Sequence, residues 1–276
     1  MIRGLFLAAF VAGIFCGVSN ADTLSISDGV ASFVYRTDDA AGTGNADLTV
    51  AAMGGTDIGY DEAWFIQRGG VAEELLAGDF TPFGPDAGSV VFTTADGLLE
   101  VDLFYTIEDL GPGPGGPAAA LSVAATVTNL GGGGTISGDL VSFLDWDLPD
   151  VDPDAGFFFD LGGDIVTAVD DVPFNGFGHF GERFYEAADG GEIDDAGTLL
   201  ASIAGGTTLG RTDNGFIDGD FGSAGGWAFT LDELDSVTFF SDSFVAVTPE
   251  PSAFFGFCLL SAGGLLARRR RRLTAA

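Results

Sequence analysis

The chain of 276 residues contains no lysine and a single histidine, His179, and its ten basic residues are all arginines, against 41 acidic residues. The formal net charge is −31 at pH 7. A chain this acidic repels nucleic acid and anionic lipid, which disfavours both as partners and argues against phosphate binding. Three explanations of the acidity stay open: adaptation to a salty medium, bound Ca²⁺, which aspartate oxygens coordinate well, and solubility.

Cysteine is equally scarce, since Cys16 and Cys258 are the only two and each lies in an apolar segment near one end of the chain. The region between these segments therefore has no thiol and no disulfide, and it must be held by its core or by bound ions. It also lacks a cysteine nucleophile and the histidine cluster of a zinc site. A Ser-His-Asp triad would have to use His179, and no Gly-x-Ser-x-Gly elbow precedes it. These absences predict that the chain is not an enzyme.

Long helical periodicity is also missing from the region between the two ends, whereas strand-like alternation is common. The clearest case is residues 98–108, where Leu99, Val101, Leu103, Tyr105 and Ile107 share one face and polar residues, together with Phe104, share the other. Residues 89–94 precede this strand, and Asp96-Gly97 between them suits a hairpin turn. The Gly- and Pro-rich residues 111–117 are expected to interrupt regular structure. Residues 199–203 are among the further strand candidates.

The chain is 46% hydrophobic and has 26 phenylalanines, which is enough apolar material to close a core despite the acidity. Strands with one apolar face need a second layer to cover it, and without long helices that layer is another sheet. The sequence therefore predicts an all-β fold, a large antiparallel β-sandwich over residues 22–248. An alternative is two small β-domains that meet near residues 150–154.

The first 21 residues have the three parts of a secretory signal. Arg3 gives a charged start, residues 5–18 are apolar, and Ser19 and Ala21 are small residues at the two positions that a signal peptidase inspects. We therefore predict export, with cleavage after Ala21 by signal peptidase.

The last 28 residues, 249–276, form a second three-part segment. Pro249, Glu250 and Pro251 hold the backbone extended and resist helix formation. Residues 252–267 are uncharged, and this run is slightly shorter than the 17–25 residues that usually span a bilayer. Five arginines follow, which are expected to stay in the cytoplasm and to stop further export: Arg268, Arg269, Arg270, Arg271 and Arg272.

This order of Pro-Glu-Pro, apolar run and arginine block at the C-terminus resembles the PEP-CTERM sorting signal of Gram-negative bacteria. The resemblance covers about a tenth of the chain and implies how the protein is sorted. It implies that an exosortase, a membrane-embedded cysteine protease-transpeptidase, recognises residues 249–251 and processes the tail after a transient stay in the inner membrane. Members of this family are often associated with exopolysaccharide.

A cluster of carboxylates in the middle of the sequence is a candidate Ca²⁺ site, formed by Asp145, Asp147, Asp150, Asp152 and Asp154. The alternate spacing of the last three resembles the start of an EF-hand or dockerin loop. The pattern then departs from that family, because Ala155 stands where the glycine is required and Leu161 where the acid is required. A solvated acidic loop is the alternative interpretation.

Aromatic residues offer a candidate sugar-stacking surface, although in a Phe-rich β-protein such residues more often form the core. The candidates are Trp64, Trp146, Trp227, Tyr35, Tyr60, Tyr105 and Tyr185. Together with the resemblance, the sequence predicts a structural or adhesive protein of the cell surface or extracellular matrix, linked to exopolysaccharide. Two alternatives are a Ca²⁺-dependent carbohydrate-binding module and a secreted glycoside hydrolase with paired carboxylates.

Overall fold

A computed structural model describes residues 23–50, 59, 61–113, 116–146, 155–160, 164–171, 177–185, 190–213 and 221–248. Strands account for 65% of the structure, and they form three sheets that are antiparallel except at one short pair. The prediction of an all-β fold is confirmed at this level. In the described part of the chain, no helix is long and apolar enough to cross a membrane.

The three sheets differ in size and in strand order. The smallest has the order β1-β2-β3, with strands Thr23–Ser27, Ala31–Arg36 and Ala46–Val50. A six-stranded sheet has the order β15-β14-β16-β10-β4-β5, with strands Arg211–Asp213, Gly190–Asp195, Phe221–Leu231, Ile136–Trp146, Asp61–Arg68 and Val71–Glu74. An eight-stranded sheet has the order β11-β12-β13-β17-β9-β8-β7-β6, with strands Ala155–Asp160, Ile165–Asp171, Phe177–Phe184, Ser236–Thr248, Gly116–Asn129, Leu99–Gly113, Ala87–Thr93 and Asp79–Pro82.

The alternation of β8 decides which face of the eight-stranded sheet is buried. All five residues of its predicted apolar face, from Leu99 to Ile107, are at most 2% exposed. They join one hydrophobic core with Trp64 and Trp227 of the six-stranded sheet and with Phe33 and Tyr35 of the three-stranded sheet. Both smaller sheets therefore cover the same face of the largest one, as expected for a sandwich.

Large aromatic side chains fill the space between the two larger sheets. The Trp227 ring stacks on Trp64 at a centroid distance of 6.3 Å and on Phe239 of the eight-stranded sheet at 5.6 Å. Phe184 meets Trp227 edge-on at 5.6 Å. These contacts join the two sheets through side chains alone, in a body with no disulfide.

A helix corrects the prediction of a strand at residues 199–203. Residues Ala196–Ala204 form helix α1, which begins where the Asp195 side chain accepts a hydrogen bond from the Thr198 backbone N–H. Its buried residues Leu199 and Ile203 pack on the face of the six-stranded sheet that points away from the other sheets. Their spacing of four residues suits a helix face, but a nine-residue stretch is too short for its period to stand out.

The hairpin predicted at Asp96-Gly97 is confirmed. Gly97 has a φ of +71°, and the Asp96 carboxylate accepts hydrogen bonds from the Leu98 backbone N–H and the Thr94 hydroxyl. The interruption predicted over residues 111–117 is wrong, because β8 continues to Gly113 and β9 starts at Gly116, with Pro112 paired to Pro117. The pairing of β8 with β9 shifts register between Asp109 and Gly111 and then continues through these proline and glycine residues.

Gly225 lets the two larger sheets approach each other. A Cβ at this position would lie 2.2 Å from Cδ1 of Phe184, on the opposite sheet. We expect Gly225→Ala to lower the free energy of unfolding by about 1–3 kcal/mol, because the core must shift to admit the methyl group. Chemical denaturation measures the change. Gly197→Ala on the exposed side of helix α1 is the matched control and should cause no loss, since its Cβ makes only ordinary contacts. Equal stability of the two variants would contradict the prediction.

Candidate functional site

Glu62 is a buried carboxyl group between the sheets and is 5% exposed. It lies on β4 and shares a strand face with Trp64. Its Oε1 accepts hydrogen bonds from Trp64 Nε1 at 2.8 Å and from the Tyr105 hydroxyl at 2.8 Å. Tyr105 belongs to the eight-stranded sheet, so the second bond crosses the core. Oε2 is also buried and has no hydrogen-bond partner among the described residues.

Glu182 is a second buried carboxyl group, and it lies on β13 of the eight-stranded sheet with an exposure of 4%. It accepts a hydrogen bond from the Ser223 hydroxyl of the six-stranded sheet and a longer one, 3.4 Å, from Ser243 Oγ. Ser223 Oγ in turn accepts from Trp146 Nε1 at 3.0 Å. Each of the two acids therefore links one sheet to the other.

Both carboxyls hold their protons far more tightly than an exposed glutamate does. Burial raises the pKa of Glu62 to about 7, although hydrogen bonds from Trp64 and Tyr105 oppose the shift. Burial likewise raises the pKa of Glu182 to about 8; the Ser223 hydrogen bond opposes this, and the charge of Glu62 adds to it. Groups with such values suit proton transfer near neutral pH. Their enclosure means that no ligand touches them unless the sheets separate.

The accessible face of the eight-stranded sheet carries a second group of chemically distinctive residues. Phe104 on β8 and Phe240 on β17 are both paired with Ala124 of the strand between them, so the three form one row across the sheet. The two phenylalanines are 37% and 53% exposed. Phe83 lies beside Phe104, with the ring centroids 5.5 Å apart. We call the accessible side of strands β8, β9 and β17, which carries Phe104, Ala124 and Phe240, the outer face.

Polar residues flank this row on both sides. Asp102 and Thr126 are in the adjacent row, where Thr126 shares a 2.8 Å hydrogen bond with Thr238. On the other side, the Tyr185 hydroxyl donates to the Asp242 carboxylate, and Arg183 lies over the Tyr185 ring with its Cζ 4.3 Å from the centroid. Burial and the charge of Glu100 raise the pKa of Asp102.

The candidate Ca²⁺ cluster falls mostly outside the described residues, where Asp147, Asp150, Asp152 and Asp154 lie. Asp145 is on β10, paired with Asp61 of β4. Among the residues that the structure describes, no group of three or more His, Cys, Asp or Glu side chains could hold a metal ion.

One use of an acidic side chain is visible at Asp61. Its carboxylate accepts hydrogen bonds from three backbone N–H groups, those of Gly42 at 2.8 Å, Gly44 at 2.9 Å and Asn45 at 2.9 Å. The loop between β2 and β3 is thus fixed to the six-stranded sheet by a carboxylate.

The aromatic candidates divide in a way that the sequence did not predict. Five of them are core residues at most 1% exposed and cannot form a sugar-stacking surface: Trp64, Trp146, Trp227, Tyr35 and Tyr105. Tyr60 lies outside the described residues, and Tyr185 is half-buried at the edge of the outer face. Within the described ranges, the aromatic side chains that are exposed are phenylalanines instead. The sequence did contain one indication of this, because Phe104 occupies one of the otherwise polar positions of the alternating strand β8.

The targeting segments also lie outside the described residues, including Ser19, Ala21, Pro249, Glu250, Pro251 and the arginines 268–272. His179 is in β13, where its backbone is paired with Asp170 and Ala246.

Comparison with known proteins gives no family assignment. No protein-family model matches the chain, and no curated protein matches it. Among solved structures, a galactose mutarotase related enzyme from Lactobacillus acidophilus has a TM-score of 0.47 and 8% identity, over 83% of this chain and 99% of that chain. A galactose mutarotase-like protein from Lactobacillus casei has a TM-score of 0.40 and 9% identity, over 81% of this chain and 100% of that chain.

These matches correct the prediction that the chain is not an enzyme, because a protein described as an enzyme is among them. That prediction rested on the absence of a cysteine nucleophile, a histidine cluster and a Gly-x-Ser-x-Gly motif. It was wrong to do so, because the sequence does not show which of the many carboxylates the fold brings together. At such low TM-scores and identities, no activity, substrate or catalytic residue carries over to this chain.

Proposed function

We propose that this chain is an exported protein of the cell surface or extracellular matrix and that an exosortase sorts it. Its role is structural or adhesive and is linked to exopolysaccharide. The observation that carries the proposal is the three-part C-terminal segment of Pro249-Glu250-Pro251, apolar run and arginine block. The order of these parts, and not any single one, distinguishes the segment from an ordinary apolar tail.

The arrangement of the body is compatible with this route. Strand β17 ends at Thr248, directly before Pro249. A cut near the Pro-Glu-Pro motif would therefore remove no residue of the three sheets. The body also needs no disulfide to hold its sheets together, because aromatic packing and the hydrogen bonds of Glu62 and Glu182 join them.

The proposed route has three steps. The N-terminal signal directs the chain across the inner membrane, and signal peptidase cleaves after Ala21. The apolar residues 252–267 then hold the chain transiently in that membrane, with the arginines in the cytoplasm and the body in the periplasm. An exosortase acts near residues 249–251 and passes the body to the cell surface or the matrix.

Replacing Pro249, Glu250 and Pro251 by alanines tests the route. We expect the variant to accumulate in the inner membrane with its C-terminal segment attached, because the protease no longer recognises it. Cell fractionation with antibodies against the body and against a tag placed after Ala276 measures this. Replacing Leu273 and Thr274 by alanines is the matched control, since it alters the tail but keeps all three parts. Processing and release of the Pro-Glu-Pro variant at the control's level would refute the proposal.

A further inference from the structure

The sizes of the side chains on the three strands give the outer face a shallow groove, with small residues on the central strand and mostly larger ones beside it. The central strand, β9, presents only small residues on this face: Ala120, Ser122, Ala124, Thr126 and Thr128. The strands on either side present larger ones, including Phe104 and Asp102 on β8 and Phe240 and Asp242 on β17. The larger side chains therefore form two walls along a floor made by β9.

The groove is walled by exposed aromatic rings that nothing in the chain's described part covers. Phe104 and Phe240 face each other across Ala124, and two strand spacings place their backbones about 10 Å apart. Phe83, which is 63% exposed, extends the aromatic surface beyond Phe104. A cluster of exposed aromatic rings rimmed by polar groups is typical of a surface that binds a partner.

The polar groups beside these rings have unused hydrogen-bonding capacity. Asp102 is a partly exposed carboxylate beside Phe104, and a ligand reaches it through Oδ2, because Oδ1 is buried and lacks a hydrogen-bond partner among the described residues. The hydroxyls of Thr126 and Thr238 share one hydrogen bond and retain acceptor capacity. Acceptors and hydroxyl groups thus lie within one row of the two phenylalanines.

We propose that the groove of the outer face binds an uncharged polysaccharide chain, with Phe104 and Phe240 contacting the apolar faces of sugar rings and Asp102 accepting hydrogen bonds from sugar hydroxyls. Such a ligand offers both kinds of surface that the groove requires, flat C–H faces and many hydroxyl donors. The larger side chains on β8 and β17 flank the groove but do not close its ends, so a polymer can lie along β9.

The charge and backbone pairing of this face argue against other occupants. Glu100, Asp102 and Glu108 lie on the same face as Phe104, and the chain has a net charge of −31, so an anionic polymer or a second copy of this chain would be repelled. Strand β9 is paired on both sides, which leaves no main-chain groups free to bind a peptide as an added strand.

This inference rests on the proposed function only for the source of the polysaccharide, which would be the matrix around the cell. Binding itself does not depend on the sorting route. The two proposals therefore fail separately: the Pro-Glu-Pro alanine variant should bind polysaccharide normally, and a variant with a damaged groove should be sorted normally.

The test uses the full chain purified in detergent and a panel of uncharged polymers, namely dextran, pullulan, galactomannan and hydroxyethyl cellulose, with alginate as an anionic comparison. Affinity electrophoresis and calorimetry measure binding. We expect at least one uncharged polymer to bind and alginate not to bind. The double variant Phe104→Ala/Phe240→Ala should weaken binding at least tenfold, and Phe104→Tyr/Phe240→Tyr should retain it.

Val71→Ala is the matched control, because Val71 is 69% exposed but belongs to the six-stranded sheet. It should leave binding unchanged, and thermal melting should show that all these variants are folded. Failure of every uncharged polymer to bind, or equal binding by Phe104→Ala/Phe240→Ala and the wild type, would overturn the proposal. So would a concentration-dependent dimer that the same double substitution dissociates, because the groove would then hold a second copy of the chain.

Discussion

Replacing Trp227 by alanine is expected to lower the free energy of unfolding by about 3–5 kcal/mol, a large part of the stability of an ordinary domain. The Trp227 side chain is fully buried and contacts Trp64, Phe184 and Phe239. Its Nε1 also donates a 3.1 Å hydrogen bond to the backbone carbonyl of Tyr185. The substitution would therefore leave a cavity at the place where the two larger sheets meet.

Urea denaturation followed by circular dichroism measures this loss, and Phe240→Ala is the control. It also removes an aromatic ring, but one that is half exposed on the outer face, so its free energy of unfolding should stay within about 0.5 kcal/mol of the wild type. If the two variants unfold at the same urea concentration, Trp227 does not join the sheets in the way described.

The second large effect is a loss of stability as the pH rises. An unfolded glutamate titrates near 4.5, whereas burial raises the pKa of Glu62 to about 7 and that of Glu182 to about 8. Below pH 4.5 both carboxyls are protonated in either state. Above it the unfolded chain releases these protons and the folded chain does not, which favours unfolding. Each carboxyl should therefore cost about 1.4 kcal/mol per pH unit between pH 4.5 and its folded pKa, and little more beyond it.

Denaturation curves between pH 4 and 9 in about 1 M NaCl measure this effect, because salt screens the many surface carboxylates much more than the two buried ones. We expect the double variant Glu62→Gln/Glu182→Gln to lose most of the pH dependence and to gain stability relative to the wild type as the pH rises. Glu108→Gln, on the exposed side of β8, removes one surface charge and should keep the wild-type slope. Identical slopes for the double variant and the wild type would disprove the assignment.

The sequence predicted the fold class because the strongest strand carries an unusually long alternation. The apolar positions of β8 are the buried ones, and Phe104 lies among the polar positions and is exposed, as its place in the pattern requires. Helix α1 was missed because its nine residues make only about two and a half turns, and because its position depends on a face of the six-stranded sheet that must be covered. This packing on a neighbouring sheet is a tertiary interaction, and the local sequence pattern does not reveal it.

The candidate site was less accessible to sequence analysis than the fold. Glu62 and Glu182 are two acids among 41, and only the packing of the sheets distinguishes them from the solvated majority. Tryptophan and tyrosine are the residues expected to stack on sugars, yet in this protein most of them fill the core, and phenylalanine occupies the accessible face instead. The groove arises from the register of three strands, which pairs both Phe104 and Phe240 with Ala124.

One edge strand of the eight-stranded sheet and one of the six-stranded sheet affect whether neighbouring copies of this protein can join edge to edge. Strand β6, at one end of the larger sheet, has four residues and carries Asp79 and Pro82 at its two ends. Strand β5, at one end of the six-stranded sheet, also has four residues and finishes with Glu73 and Glu74. Short, charged or proline-bearing margins discourage sheets of neighbouring molecules from joining into fibres. At these margins, copies crowded together at high concentration would therefore resist growth into amyloid-like filaments.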